Sequence, residues 1–252
     1  MSAATIEGTA PTRAASKYFY VWLAALCVFI AFAGFAPTFW LPVARHTLKA
    51  DPIVYIHGVA MAGWTLFLFN QARLAASAHM RRHRALGMVG ISFATIIVML
   101  GLLIAMNSIR AAPPEYYRRA LAFSIWSLSA ILYFAGAVTV ALANTHRPEI
   151  HKRLLLTATL FALQGAVERW FLVFGPLSAP GPLPIEAANA PALVIDVILL
   201  GLMVHDWRTR GRVQPTYLIA VSIIAALQFL MAPASKTDAW LAFAEWFSRL
   251  AG

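Results

Sequence analysis

The chain has 252 residues, of which 61% are hydrophobic and 12% are charged, whereas soluble domains average roughly 45–50% and about 25%. With a mean hydropathy of +0.72, the remaining polar residues are too few to cover a surface in water. The composition excludes a soluble enzyme, a nucleic-acid reader and a disulfide scaffold, and it predicts an integral membrane protein. The single cysteine, Cys27, lies in an apolar run and offers no thiolate metal site.

Apolar stretches of about 17–25 residues, bounded by charge or proline, are typical of membrane-spanning helices. The sequence predicts seven, at residues 18–36, 53–72, 85–106, 120–143, 154–175, 190–204 and 216–232. A last segment, 238–250, has Trp240, Phe243 and Phe247 at helical spacing but is too short to span, so we expect it to lie at the membrane interface.

The predicted fold class is therefore all-α, a polytopic membrane helix bundle with about seven transmembrane helices plus a C-terminal interfacial helix. Residues 1–17 are predicted to form a cytoplasmic tail, 18–232 a seven-span membrane domain, and 233–252 the interfacial helix. The proline-rich segment 176–191 is predicted to be a plain connector, with a lid over an outer pocket as the alternative.

The basic residues are unevenly divided between the two sides of the predicted bundle. Twelve of the 20 fall on the side of the N-terminus, where three acidic residues oppose them. The positive-inside rule predicts that this side is cytoplasmic, and we expect the bacterial inner membrane as the location. Because topology explains the formal charge of +10, no nucleic-acid partner is expected.

Five of the seven histidines lie at the predicted cytoplasmic face. His83 and His151 share a pattern, because each is followed by a base, Arg84 or Lys152, and then by a leucine at the third position. Each opens a helix that runs in the same direction. Two imidazoles at equal depth on parallel helices can hold a haem iron axially, or a metal with further ligands. Histidines that merely anchor the interface among basic residues are the alternative.

A second group of ionisable residues lies toward the other face. His57, Glu168, Arg169 and Asp196 come from three predicted spans but share a similar depth. An isolated charge at this depth is costly, so we expect these spans to meet and the four side chains to form one cluster. That cluster is either a structural ion network or a proton-carrying or substrate-binding catalytic pocket. Trp126 is interpreted instead as an aromatic residue of the interface belt.

One stretch carries a family resemblance. His57, Gly58, Met61 and Trp64, followed by His83 at the head of the next helix, are similar to the opening helix pair of cytochrome b561-type transmembrane haem proteins. The resemblance runs from the second predicted span to the fifth. The same stretch also resembles uncharacterised bacterial multi-span proteins built around two histidine-headed helices.

The resemblance implies a cofactor, because four core helices of the di-haem family each supply one histidine. Carried over, His83 and His151 would be the metal ligands of one haem b, with Arg84 and Lys152 beside its propionates. His57 would need a partner on the fourth span, which has no histidine. The resemblance therefore implies one haem rather than two, and it leaves His57 for another task such as proton exchange.

Three functions remain open at this point. The first is electron transfer through one b-type haem, with a quinone as the exchange partner. The second is a non-redox accessory or assembly subunit that binds other membrane subunits. The third is a small proton-coupled transporter that uses Glu168 and Asp196, although the sequence shows no inverted repeat of the kind common in transporters. The lipid bilayer is the expected surroundings in all three.

Overall fold

The computed structural model describes residues 13–175 and 188–251, and over these ranges the chain is helical and contains no strand. The helices are α1 (Arg13–Phe35), α2 (Leu41–Ala44), α3 (Pro52–Ala76), α4 (Met80–Arg110), α5 (Tyr117–Ala143), α6 (Pro148–Ala162), α7 (Gln164–Phe174), α8 (Asn189–Arg210), α9 (Pro215–Ser235) and α10 (Asp238–Ser248). A π-helical segment, Ala36–Trp40, joins α1 to α2. The all-α prediction is confirmed.

Two predicted segments fall largely outside the described residues. The predicted tail, 1–17, is described only from position 13, where α1 begins. The predicted connector, 176–191, is described only from position 188, directly ahead of α8.

Six helices in the described ranges are long and apolar enough to cross a membrane, so the chain is a multi-pass membrane protein. The predicted fifth span differs from the expected single helix. It is divided between α6, of 15 residues, and α7, of 11 residues. At the junction, the Leu163 N–H donates to the carbonyls of Thr159 at 3.0 Å and Leu160 at 3.1 Å. Gly165 lies two residues beyond Leu163. Glycine in a helix interior is less favourable than alanine by about 1 kcal/mol, which favours an interruption here.

Helix ends follow local sequence signals. Pro52, Pro148 and Pro215 are the first residues of α3, α6 and α9, a position where the missing N–H is not needed and the fixed φ suits a helix. Gly211 ends α8 with φ 71°, a left-handed conformation that glycine adopts without strain. The α3–α4, α4–α5, α5–α6 and α8–α9 connections are short, so the helices that they join run in opposite directions.

At one end of the bundle, which we call the basic end, cations far outnumber carboxylates. It holds the α3–α4, α5–α6 and α8–α9 connections, with Arg73, Arg81, Arg82, Arg84, Arg147, Lys152, Arg153, Arg208, Arg210 and Arg212. This division is the one that the positive-inside rule uses to orient a membrane protein.

Helices α3, α4, α5 and α6 enclose an aromatic core. Trp64 is buried at its centre and lies against the rings of Phe67, Phe93 and Phe134. Its indole N–H donates to the Thr159 hydroxyl at 3.0 Å. This bond fixes α3 against the last turn of α6, just ahead of the junction at Leu163.

Helix α10 covers the ends of α4 and α5 that lie away from the basic end. Leu241, Ala244 and Phe247 are buried there, and the Trp240 indole N–H donates to the Leu121 carbonyl at 3.1 Å. Phe243 remains exposed on the other face. The helix predicted over 238–250 is thus present and amphipathic, while its place at the membrane interface stays a prediction.

Close packing fixes α7 against α1. A Cβ added at Gly34 would lie 2.5 Å from the Ala166 carbonyl oxygen and 2.7 Å from its Cβ. The Trp170 indole N–H donates to the Ala33 carbonyl at 2.8 Å on the same face. Glycine at such a contact lets two helix backbones approach each other in a membrane.

Gly34→Val is expected to lower the free energy of unfolding by about 1–3 kcal/mol, because the added atoms must push α1 and α7 apart. The measurement is thermal unfolding of the purified protein in detergent. Gly136→Val is the matched control, since a Cβ at Gly136 meets nothing within 4 Å. Equal stability of the two variants would contradict the close packing.

Candidate functional site

A cavity of about 600 Å³ lies in the half of the bundle away from the basic end. It is lined by residues of α1, the π-helical segment, α3, α4, α5, α6 and α7. Its volume falls within the range of small-molecule sites, roughly 300–1,000 Å³. The walls are mostly apolar and rich in aromatic rings, among them Phe35, Phe39, Phe123, Trp126, Phe134 and Phe161.

A few residues that line this apolar cavity hold buried polar atoms without hydrogen-bond partners in the described part of the chain. Gln164 is 2% exposed, and neither its amide nitrogen nor its amide oxygen makes a hydrogen bond within the described residues. The same holds for His57 Nδ1 and Trp40 Nε1. Leaving a buried polar group unpaired costs about 1–3 kcal/mol. Unpaired groups around a cavity are therefore the ones that a ligand or water would satisfy.

Two irregular stretches of backbone place these groups. Gln164 is the first residue of α7, directly after the junction at Leu163. Trp40 is the last residue of the π-helical segment. The preceding Phe39 packs so closely on Gly58 of α3 that a Cβ at Gly58 would lie 2.6 Å from the phenyl ring. Irregular backbone at membrane depth is tolerated where protein buries it or where it lines a cavity, and π-helical turns are frequent at functional sites.

Three of the four residues predicted to share a depth meet at this cavity. His57 reaches it from α3, and Glu168 and Arg169 reach it from α7. No hydrogen bond or ion pair joins the three in the part of the chain that is described. The Arg169 guanidinium lies 5.9 Å from the centre of the Phe35 ring. Their catalytic role stays a prediction.

Asp196 does not belong to the predicted cluster, so this part of the prediction is wrong. It does not line the cavity, and its Oδ1 accepts a hydrogen bond from Gln228 Nε2 at 3.1 Å. The expected contact with Arg169 or His57 is therefore replaced by a contact between α8 and α9. Depth along a helix can be counted from sequence, but the direction in which α8 turns this side chain depends on packing.

Sequence reasoning missed two cavity residues and misplaced a third. Trp126 is buried and lines the cavity, so its interpretation as an interface residue is wrong. Gln164 was passed over because it is uncharged, and Trp40 because it lies beyond the predicted first span. The sequence does carry a signal for this place, because Gln164, a polar residue, and Gly165, a helix breaker, stand next to each other inside an otherwise apolar stretch.

At the basic end, His151 holds a defined tautomer. Its Nδ1 lies 2.8 Å from the Ala141 carbonyl oxygen, and because a carbonyl can only accept, Nδ1 carries the proton. In the neutral ring Nε2 is then a free lone-pair nitrogen, the form in which histidine binds a metal. His83 lies close enough for the two imidazoles to interact electrostatically.

His83 holds the opposite tautomer. The buried Gln71 amide is assigned so that its oxygen accepts a hydrogen bond from the Gly87 N–H at 3.1 Å. Its nitrogen then donates to the His83 carbonyl at 3.2 Å and to His83 Nδ1 at 2.6 Å. Because this Nδ1 accepts, Nε2 carries the proton of the neutral ring. Haem ligation by both rings would therefore need the His83 proton on Nδ1 and the Gln71 amide turned so that its oxygen accepts from that atom. The haem stays a prediction.

The two basic residues predicted beside the haem have different surroundings. Arg84 is exposed. Lys152 Nζ is 2.6 Å from the Glu149 carboxylate and 4.3 Å from the centre of the Tyr20 ring. The Lys152 charge is thus already paired in this arrangement. Among the described residues no group of three or more His, Cys, Asp or Glu side chains could hold a metal ion.

A buried ion network, which sequence reasoning did not find, joins α6 to α8. Arg153 and Asp206 are 0% and 2% exposed, and the guanidinium meets both carboxylate oxygens, with Nη2–Oδ1 at 2.8 Å and Nε–Oδ2 at 3.2 Å. Arg153 Nη1 also donates to the Glu149 carboxylate at 2.6 Å, and Arg210 Nη1 lies 2.7 Å from the same group. The network is fully paired, which marks it as structural.

Glu149 lies in the first turn of α6, ahead of the apolar part of the span. Burial alone would raise the pKa of its carboxyl, but hydrogen bonds from Lys152 and Arg153 outweigh burial and lower the pKa to about 2. A lowered carboxyl pKa stabilises the fold above the usual carboxyl range, and this contribution is lost as the pH falls through the lowered value. The Glu149 carboxylate therefore stays ionised across physiological pH.

The predicted haem would give the purified protein a Soret band that shifts on reduction with dithionite. His83→Ala and His151→Ala are each expected to abolish that band, whereas His79→Ala and His146→Ala, outside the two matched helix starts, should retain it. Absorption spectra of protein from haem-replete cells provide the test. A folded but colourless wild-type protein would contradict haem binding, and an unchanged spectrum in either of the first two variants would contradict the ligand assignment.

Asp206→Leu is expected to lower the free energy of unfolding by about 3–5 kcal/mol, because it leaves the Arg153 charge buried beside a single carboxylate. Adding Arg153→Met should restore most of the loss, since two apolar residues then replace the pair. Glu245→Ala, which removes the exposed ion pair with Arg249, is the control and should cost less than about 1 kcal/mol. Thermal unfolding in detergent measures all of them. If Asp206→Leu alone proved as stable as Glu245→Ala, the structural role of the ion network would be refuted.

No protein-family model, no curated protein and no solved structure matches this chain. A functional assignment therefore depends on the chemistry of the cavity and of the basic end, taken from the residues themselves.

Proposed function

We propose that this chain is an integral membrane protein that binds a lipophilic molecule of the quinone class in the cavity between α1, α3, α5 and α7. The observation that carries the proposal is Gln164, a buried amide with both polar atoms unpartnered beside a cavity of about 600 Å³. An unmade hydrogen bond opposes folding, and a ligand in the cavity is one way to complete the bonds of this amide.

The chemistry of the walls supports a ring that carries carbonyl groups. Within residues 13–175 and 188–251, Gln164 Nε2 and Trp40 Nε1 are N–H donors without partners, and the His57 imidazole supplies a third polar group. Quinone carbonyl oxygens accept hydrogen bonds from donors of this kind. The aromatic side chains of the walls favour a flat ring by stacked or edge contacts.

The cavity walls are mostly apolar and carry few polar groups, which argues against strongly polar ligands. A sugar or an inorganic ion would leave much of its hydrogen-bonding capacity unmet against walls that are mostly apolar. Lipophilic ligands need the reverse, an apolar enclosure with a few polar groups that fix orientation. A molecule of this class is also dissolved in the bilayer that surrounds the apolar helices.

Glu168 and His57 give the site a further capacity. Both line the cavity, and both are groups that can exchange a proton with a hydroxyl of a bound quinol. Binding is the function proposed here, and electron transfer through haem is a separate prediction. By the positive-inside rule we place the basic end in the cytoplasm, with the cavity toward the outer face of a bacterial inner membrane.

Gln164→Leu is expected to weaken binding of a short-chain quinone analogue about three- to tenfold, the loss of about one hydrogen bond. Quenching of tryptophan fluorescence in nanodiscs measures the Kd, since Trp40 and Trp126 line the cavity. The matched control is Gln214→Leu, the same substitution in the turn ahead of α9, which should leave the Kd unchanged. Equal values for the two variants, or no saturable binding by the wild type, would contradict the proposal.

A further inference from the structure

At the end of the bundle away from the basic end, the cavity continues into a second hollow, which we call the vestibule. The vestibule has a volume of about 540 Å³ and lies between the start of α3 and the end of α4. Val54, Asn107 and Ala111 line both the vestibule and the cavity, so the two spaces meet along these side chains. The other lining residues of the vestibule are 49–51, directly ahead of α3.

The vestibule lies at the aqueous edge of the membrane. Arg84 and Arg110 bound the apolar part of α4, and at 1.5 Å per residue they are about 39 Å apart along the helix axis. A hydrocarbon core about 30 Å thick that begins at Arg84 ends about twenty residues later, which places Asn107 outside it. The charged Lys49 and Asp51 are exposed at the same end, as expected of side chains in contact with water or headgroups.

Two facing rows of side chains lead from the vestibule down into the cavity. On α3 the row is Val54, His57 and Met61, and on α4 it is Asn107 and Ile104, all of which line the cavity. Residues three or four apart share one face of a helix, so each row forms a continuous wall. His57 lies five residues beyond the first residue of α3, about 8 Å along the axis. The vestibule is therefore close to the polar groups of the cavity.

Toward the basic end, tight packing joins α3 to α4. A Cβ at Gly90 would lie 2.7 Å from the Phe67 ring, and a Cβ at Gly63 would lie 3.2 Å from the Phe93 ring. Trp64 is buried between these contacts and packs on both phenylalanine rings. None of these five residues lines the cavity. The aromatic core thus separates the cavity from the basic end between these two helices.

We propose that the vestibule is an aqueous entrance, through which the cavity is open to water on the side of the membrane away from the basic end and on that side alone. Water enters past Asn107 and reaches His57 along the facing walls of α3 and α4. A proton that His57 or Glu168 takes up or gives up is therefore exchanged with this side. The exchange of protons with a bound quinol rests on the proposed function, whereas the entrance itself does not.

Labelling of single cysteines with a charged, membrane-impermeant thiosulfonate reagent tests the entrance. Met61→Cys and Val98→Cys place a thiol at the cavity wall. Val59→Cys and Met99→Cys, on the exposed outward faces of the same helices, are the matched controls, and the native Cys27 is buried. The cavity thiols should react at least about tenfold faster, because the reactive thiolate forms in water but not in apolar surroundings. Equal rates for the cavity and control thiols would overturn the proposal.

A reference thiol shows the side from which the reagent enters. Ser77→Cys lies in the α3–α4 connection, at the basic end. In sealed membranes, reagent supplied on the side opposite to Ser77→Cys should label Met61→Cys, and reagent supplied on the side of Ser77→Cys should not. Labelling of Met61→Cys from the side of Ser77→Cys would overturn the one-sided access.

A bulky side chain in the vestibule tests the route. Ala111→Trp should lower the labelling rate of Met61→Cys to that of Val59→Cys, because the indole fills the passage. Thr95→Trp, on the exposed face of α4, is the control and should leave the rate unchanged. An unchanged rate with Ala111→Trp would overturn the vestibule as the entrance. No quinone is present in these assays, so failure of the quinone site would leave their results unaltered.

Discussion

A membrane helix must satisfy its backbone hydrogen bonds within itself, and at the junction between α6 and α7 the Leu163 N–H does so by donating to both the Thr159 and the Leu160 carbonyls. Both halves of this interrupted span are held by other elements. Arg153 and Asp206 tie α6 to α8 through a buried ion pair, and Gly34 lets α1 pack on α7. Between these two fixed points, Gln164 opens α7 at the wall of the cavity.

The polar residues of the bundle fall into two contrasting states. At the basic end, Arg153, Asp206 and Glu149 are joined by short hydrogen bonds and ion pairs, so their burial is compensated. Around the cavity, the Gln164 amide and the Nδ1 atom of His57 are buried without hydrogen-bond partners among the residues that the structure describes. A fully paired network stabilises the fold and needs nothing further, whereas unpaired groups beside a cavity have the character of a binding site.

Much of the fold could be predicted because hydrophobic length, proline and charge act locally. These signals predict the membrane helices. Counting residues along the helices predicts that His57 and Glu168 lie at a similar depth, and both line the cavity. They could not give rotation about a helix axis, so Asp196 was assigned to the cavity although it faces Gln228. The junction at Leu163 was missed because a hydropathy window averages over the polar residue and the glycine that follow it.

The ion network was missed for a related reason. Arg153 stands among basic residues that look like headgroup anchors, and its partner Asp206 is 53 positions away in the chain. Only the packing of α6 on α8 turns the two side chains toward each other. Long-range pairs of this kind depend on tertiary geometry, which local periodicity does not contain.

Photoaffinity labelling with an azido-quinone tests the central claim most directly, because it reports where the ligand lies rather than whether a variant is folded. The account predicts that the label maps by mass spectrometry to α7 near Gln164 and to α3 near His57, and that excess unlabelled quinone prevents its attachment. Labelling spread over the lipid-facing surfaces of the helices, unchanged by competitor, would contradict it.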